Sequence, residues 1–542
     1  MQRLLLTVLL STALMASAQE QVDTPYTEEF ANMRDQIKLA ANVYLPDGEG
    51  PWPVIVTRTP YLKDNDRWHL GAEKYTDAGY AYVVQDTRGK GHSQGFYIAF
   101  GNDIHDGYDT VEWLAERPWS NGRIGITGGS AMGITANMAA VANPPHLEAA
   151  YVVVAPHNRF EYSFIGGAFK EADSGNWLRR QGVSEEVINA LKARATWDVF
   201  WELTNIESLR DHIDIPMYNV GGWYDIFSIG AVNNFHWLQN HGAEGARGNQ
   251  KLFMGPFGHG ELSGDLEYPN AGERFTSDDE IRWFDYWLKD KDNGIMDEPP
   301  VKFYMMASAR KGELSDKNRF IRMADWPPAS EEVRYYLNDD FTLRKEAVEV
   351  GRYSYQFDPE IPVPTMGGAN LTIERGPMDQ RAIGERQDYL RFETAPLEKD
   401  VVIAGNVFAE LWVATDGLDT DFMVKLVDVY PDGYEALVLD APLRTRYRNG
   451  RKPDEVEMMQ PDVPAKLIID LWSTAITFEK GHKIALHVTS SNSPRFDVNP
   501  NTGAPPGSAG EESRVANNVV FFGGERPSAL VLPVVYFDFD AP

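Results

Sequence analysis

Along the first half of the chain, short apolar runs alternate with longer stretches whose apolar residues recur at helical spacing. Val54 to Thr57, Tyr80 to Gln85, Ile124 to Thr127, Ala149 to Val154, Met217 to Val220 and Lys251 to Met254 read as strands. Gly107 to Arg117, Ile134 to Ala142 and Glu280 to Lys289 read as helices. Uniformly apolar, β-rich runs separated by helices predict a mostly parallel sheet with helices on both faces.

One segment breaks this rhythm. Phe160 to Thr204 contains no convincing strand, and Glu185 to Trp201 carries Val187, Ile188, Leu191, Trp197 and Phe200 at roughly helical spacing. It reads as a helical cap inserted between two strands. Asp297-Glu298-Pro299-Pro300 then reads as a linker. Beyond it, alternating runs such as Val301 to Met305, Val401 to Val413, Asp421 to Val429 and Lys483 to Ser490 recur between turn residues. That pattern predicts an all-β sandwich of jelly-roll type. The expected division is a leader at 1–18, an α/β domain at 19–157 and 214–296, the cap at 158–213 and the β domain at 297–542.

The leader rests on Arg3, the apolar run Leu4 to Met15 and the small residues Ala16-Ser17-Ala18, a pattern of cleavable export signals. The run is shorter than the roughly 20 residues a membrane span needs. A secreted or periplasmic protein is expected, with no membrane partner. The chain has no cysteine, which excludes disulfides, thiolate metal sites and a cysteine nucleophile. Its formal net charge of −29 opposes phosphate backbones, so no nucleic acid partner is expected.

Candidate chemistry centres on Gly128-Gly129-Ser130-Ala131-Met132-Gly133, between a strand and a helix. A nucleophile elbow needs this setting, because a tight turn flanked by small residues lifts the serine oxygen clear of the sheet. The second glycine falls one place late for G-x-S-x-G. A serine hydroxyl also needs a base and an orienting acid. Asp225 follows the strand and glycines of Met217 to Gly222, and His259 follows the strand beginning at Lys251. The order serine, acid, histidine is that of the α/β-hydrolase fold, and all three fall at carboxyl ends of strands. His146, His157, His236, His241, His482 and His487 lack both order and setting. No H-E-x-x-H pair exists, so no metal and no cofactor are expected.

Further motifs carry a family resemblance. They are Arg58-Thr59-Pro60-Tyr61, Gln85-Asp86-Thr87-Arg88-Gly89, Asp109-Thr110-Val111-Glu112-Trp113-Leu114, Gly221-Gly222-Trp223-Tyr224-Asp225-Ile226-Phe227 and Gly255-Pro256 with His259. Asp419-Thr420-Asp421-Phe422 and Ser490-Ser491-Asn492-Ser493-Pro494-Arg495-Phe496-Asp497 complete the set. The chain resembles the cocaine esterase and X-prolyl dipeptidyl peptidase family of α/β-hydrolases, which includes glutaryl cephalosporin acylases and α-amino acid ester hydrolases. The resemblance implies Ser130 as nucleophile, Asp225 as acid and His259 as base. It implies an oxyanion hole from the Tyr61 hydroxyl and the Ala131 N–H, and substrate contacts from Phe227 and Trp223.

The pattern departs from the family at Ala131, often tyrosine, and at Phe257, commonly tryptophan. Ile226, Phe227 and Ser228 follow Asp225 where α-amino acid ester hydrolases carry acidic residues; Glu171 or Asp173 of the cap are the candidates to replace that cluster. The expected substrate is a small acyl ester, amide or short peptide. X-prolyl peptidase, β-lactam side-chain acylase and a carbohydrate-binding jelly roll remain the alternatives.

Overall fold

The structure, a computed structural model, describes residues 25–273, 278–347, 350–508 and 512–537. The expected leader lies outside them. Ten strands build the first sheet: β1 (Thr27–Asn32), β2 (Lys38–Tyr44), β3 (Trp52–Thr59), β4 (Ala81–Asp86), β5 (Ser120–Gly129), β6 (Leu147–Val153), β7 (Met217–Tyr224), β8 (Lys251–Gly258), β9 (Val301–Met305) and β10 (Arg319–Met323). Their spatial order is β1-β2-β4-β3-β5-β6-β7-β8-β9-β10. The run from β4 through β9 is parallel, and antiparallel β1, β2 and β10 close the two edges.

The apolar strands are buried on both faces. In β3, Val54 and Val56 enter one core while Ile55 enters another on the opposite side. Five helices flank the sheet: α1 (Asp66–Asp77), α2 (Asp103–Ala115), α3 (Ala131–Ala142), α4 (Ser228–His241) and α5 (Asp279–Lys289). Helix α5 sets Trp283, Phe284 and Leu288 into the core that holds Ile55. Val111 and Leu114 of α2 and Ile134 and Met138 of α3 fill the other. Each such side chain contributes about 1.5–3 kcal/mol of burial. Among the described residues, no helix is long and apolar enough to cross a membrane.

The strand expected just after Pro299-Pro300 joins a different sheet. Val301–Met305 does not open the β domain; it pairs in parallel with β8 and extends the first sheet. The supposed linker is held in place, with Leu252 N–H donating to the Pro300 carbonyl at 2.8 Å and Arg282 paired with Glu298 at 2.7 Å. An isolated alternating strand does not say which sheet it will join.

Between β6 and β7 lies an insertion of short helices, Arg159–Ser163, Asn176–Arg180, Glu185–Lys192, Val199–Thr204 and Ile206–Leu209. It also holds a small hairpin, Phe164–Ile165 with Ala168–Phe169, that sequence spacing did not indicate. The expected helix Glu185 to Trp201 is two helices. Trp197 N–H is drawn to the Arg451 carbonyl at 2.7 Å, and the Asp198 carboxylate caps a new helix by accepting from Phe200 and Trp201.

The remaining chain is β-rich, as expected, and forms two antiparallel sheets. One contains Glu331–Leu337, Val401–Thr415, Ala516–Phe522 and Ala529–Val534; the other contains Leu390–Glu393, Asp421–Val429, Glu435–Arg444 and Lys483–Thr489. This region presses on the insertion's hairpin. A side chain at Gly166 would meet the Pro442 carbonyl at 2.0 Å, and one at Gly167 the Tyr447 ring at 2.1 Å. Both glycines have positive φ, so the turn tolerates nothing larger. The Asp497 carboxylate accepts from Phe169 N–H at 2.6 Å and also pairs with Arg444. The Asp419 and Asp421 carboxylates are taken by Arg446 and Arg444, so this motif builds a buried ion network.

Candidate active site

Strand β5 runs directly into Ser130, whose φ of 58° and ψ of −124° depart from any relaxed conformation for an L-residue. Such strain costs on the order of 1–3 kcal/mol and persists only where neighbours enforce it. Here Ser130 N–H donates to the Val153 carbonyl and Ile134 N–H to the Ser130 carbonyl, both at 2.9 Å. The late glycine of the motif has a steric reason. A side chain at Gly133 would meet Ala155 Cβ at 2.7 Å, and one at Gly128 would meet Met132 at 2.5 Å. Met132 is only partly buried, so that position accepts a long side chain.

Asp225 follows β7 and is fully buried. Its loop is a tight turn, with Asp225 N–H donating to Gly222 O at 3.0 Å and Ser228 N–H to Asp225 O at 3.1 Å. Phe227 N–H donates to Asp225 Oδ1 at 2.7 Å. His259 follows β8, whose register shifts between Gly255 and Gly258; such a bulge re-aims the residues beyond it.

These strand ends bring three side chains into a chain of hydrogen bonds. His259 Nδ1 lies 2.8 Å from Asp225 Oδ2, and His259 Nε2 lies 2.8 Å from Ser130 Oγ. Asp225 has only acceptors, so Nδ1 carries the proton and Nε2 accepts from the serine hydroxyl. Phe227 sets its ring edge-on to His259, centroids 5.6 Å apart, and so fences the imidazole on one side.

Tyr61, just past β3, stands beside Ser130. Trp177 Nε1–H from the insertion donates to the Tyr61 oxygen at 2.7 Å. With that oxygen already accepting, the phenolic proton is left to point elsewhere. Burial pushes the Tyr61 hydroxyl above its ordinary pKa, which keeps the proton on. Ala131 opens α3, and the first N–H groups of a helix have no acceptor within it. Ser130 and Tyr61 both remain partly exposed, so a substrate can reach them.

Trp223 is placed differently. Its indole N–H donates to the Tyr304 carbonyl at 2.7 Å and its ring packs 5.3 Å from Trp326. In a strand, neighbours at odd and even positions point to opposite faces, and these partners draw Trp223 into the core between β7 and β9. The expected substrate contact at Trp223 is corrected accordingly. Trp177 is the contact that sequence reading missed: nothing local to Asn176–Arg180 signals a partner 116 residues earlier. A cleft of about 940 Å³ opens between the insertion and the β domain, lined by Phe160, Glu161, Trp197, Arg451 and Trp472. It contains none of Ser130, Asp225 and His259.

Residues 35–187 and 176–261 match the model of the X-Pro dipeptidyl-peptidase (S15 family), and residues 293–531 match the X-Pro dipeptidyl-peptidase C-terminal non-catalytic domain. The chain belongs to the cocaine esterase and X-Pro dipeptidyl-peptidase family. A cocaine esterase from Rhodococcus sp. is 28% identical, the match covering 93% of this chain and 97% of the relative. Among solved structures, an aminopeptidase from a Thaumarchaeota archaeon aligns with a TM-score of 0.82 at 25% identity, covering 98% and 99% of the two chains. An α-amino acid ester hydrolase has a TM-score of 0.80 at 24% identity, covering 97% of this chain and 100% of the other, a likeness of fold. Membership in this family makes the protein a serine hydrolase, of the ester hydrolase or dipeptidyl-peptidase kind.

Proposed function

We propose that the protein cleaves an acyl ester through a covalent acyl-enzyme on Ser130. The observation that carries this reading is the unbroken Ser130–His259–Asp225 chain of 2.8 Å contacts at three strand ends. His259 Nε2 takes the hydroxyl proton as Ser130 Oγ attacks the carbonyl carbon. Asp225 holds the imidazole in the required tautomer and stabilises the imidazolium. The carbonyl oxygen gains negative charge and is met by the Tyr61 O–H and the Ala131 N–H. The imidazolium then gives its proton to the departing alcohol, and water repeats the sequence to release the acid. Phe227, Tyr162, Trp177 and Phe100 form a linked set of rings beside His259, which favours an uncharged acyl group. The insertion acts as the cap that carries two of these rings, the β domain is a jelly roll bracing it, and the leader supports an exported enzyme.

A fluorophosphonate probe is expected to label the protein at Ser130 and not to label Ser130→Ala; equal labelling of both would remove the mechanism. On a panel of p-nitrophenyl esters, aminoacyl-proline anilides and β-lactam side-chain amides, esters are expected to turn over at least as fast as amides. Faster cleavage of the proline anilides would reverse that order and make the protein a peptidase.

Tyr61→Phe removes one oxyanion donor and leaves the ring. Its kcat is expected to fall by about 10²–10³, with KM little changed. Comparing esters of different leaving-group pKa provides the check, since a loss confined to KM would assign Tyr61 to binding alone.

A further inference from the structure

Lys170, in the insertion, is fully buried. An ammonium out of water is costly unless strongly partnered. Its nearest carboxylate, Asp173 Oδ2, is 3.9 Å away, a loose pair. Asp173 spends its other oxygen accepting from Leu371 N–H at 2.7 Å. The hydrogen bond Lys170 makes is elsewhere: Nζ–H donates to the Ile226 carbonyl at 3.2 Å. The same ammonium lies 5.4 Å from the centre of the Phe227 ring.

The Ile226 carbonyl and the Phe227 N–H belong to one peptide unit. That unit accepts from Lys170 at its oxygen and donates to Asp225 Oδ1 at its nitrogen. A cation on the oxygen fixes the plane of the peptide and polarises its N–H toward the carboxylate. Phe227, gripped by the same cation, is also the ring set edge-on to His259. We propose that Lys170 is a positioning residue, which orients Asp225 through the 226–227 peptide and His259 through the Phe227 ring. This rests on the triad reading above. It makes the docking of the insertion a condition of catalysis, because Lys170 directly follows the hairpin clamped by the β domain.

Burial pushes the Lys170 ammonium down to about 8, so it stays charged at neutral pH. The charges facing it are Asp173 and Glu161 of the insertion, Asp225 of the catalytic loop and Arg495 of the β domain. His259 faces Asp225 and Asp173, and Arg375 packs beside Gly258 and Gly260.

Lys170→Met is therefore expected to lower kcat for a p-nitrophenyl ester roughly 10- to 100-fold, the scale of a small misplacement of catalytic groups. KM should hold within about twofold. Should the single variant unfold, the double variant Lys170→Met/Asp173→Asn removes both charges of the pair and keeps an oxygen to accept from the Leu371 N–H. It is expected to melt near the wild-type temperature with the same kinetic losses. A folded variant with wild-type kcat overturns the assignment, as does a loss confined to KM. Ser130→Ala run alongside separates the two readings. If it remains active, the triad reading falls; if it is inactive while the Lys170 variants match wild type, only the Lys170 assignment falls.

Discussion

Ser130→Ala and His259→Ala are each expected to lower kcat by about 10⁶, and the double variant to be no worse than either alone. The equality is the informative part. In the proposed mechanism the Ser130 oxygen is a nucleophile only while His259 Nε2, 2.8 Å away, can take its proton, so the two side chains should act as one unit. Removing either leaves the Tyr61 hydroxyl and the Ala131 N–H, and a residual rate of roughly 10³ over water is expected from such donors and from binding. The fold should survive both changes. Alanine can occupy the strained conformation at residue 130 because it is enforced by backbone bonds to Val153 and from Ile134, not by the hydroxyl. Burst kinetics with a p-nitrophenyl ester would check the pair: wild type should release a stoichiometric burst and both variants none. Losses that multiply in the double variant would mean that Ser130 and His259 act independently.

The candidate triad is legible in the sequence because each member follows a strand whose glycines mark a tight approach. Ser130, Asp225 and His259 follow β5, β7 and β8, and order plus setting single out His259 among the eleven histidines. Local sequence is silent on whatever depends on distant partners. Strand β1 is mostly exposed and its sequence, Thr-Glu-Glu-Phe-Ala-Asn, has too few apolar residues to register as a strand. Helix α1 buries only Ala72 and Tyr75, too little to imprint a periodicity. Val301–Met305 reads as a strand, but its alternation does not name its sheet, since its partner β8 lies some 50 residues earlier in the chain. Lys170 and Trp177 sit in an insertion whose local sequence says only that it is aromatic and helical. Their roles arise from contacts with Ile226 and Tyr61 that only the folded chain creates.

Asp225→Asn is expected to lower kcat by about 10⁴ without unfolding the protein, and the reason lies in how the Asp225 carboxylate is divided. Oδ1 accepts from the Phe227 N–H and Oδ2 from His259. An asparagine must keep its single oxygen on the buried Phe227 N–H, since leaving that donor unpaired costs about 1–3 kcal/mol. Its NH₂ group then faces His259 Nδ1. Two donors cannot share that contact, so Nδ1 gives up its proton and becomes the acceptor. The imidazole proton moves to Nε2, the nitrogen that faces Ser130 Oγ, where it can no longer receive the hydroxyl proton. The base is thus present, correctly placed and in the wrong tautomer. Asp225→Ala should be the milder chemical change but the larger structural one, because it orphans the Phe227 N–H and leaves a cavity in the loop. Steady-state kinetics with thermal denaturation of both variants would separate these effects. An Asn variant within tenfold of wild type would mean that Asp225 only supports the loop and does not select the histidine tautomer.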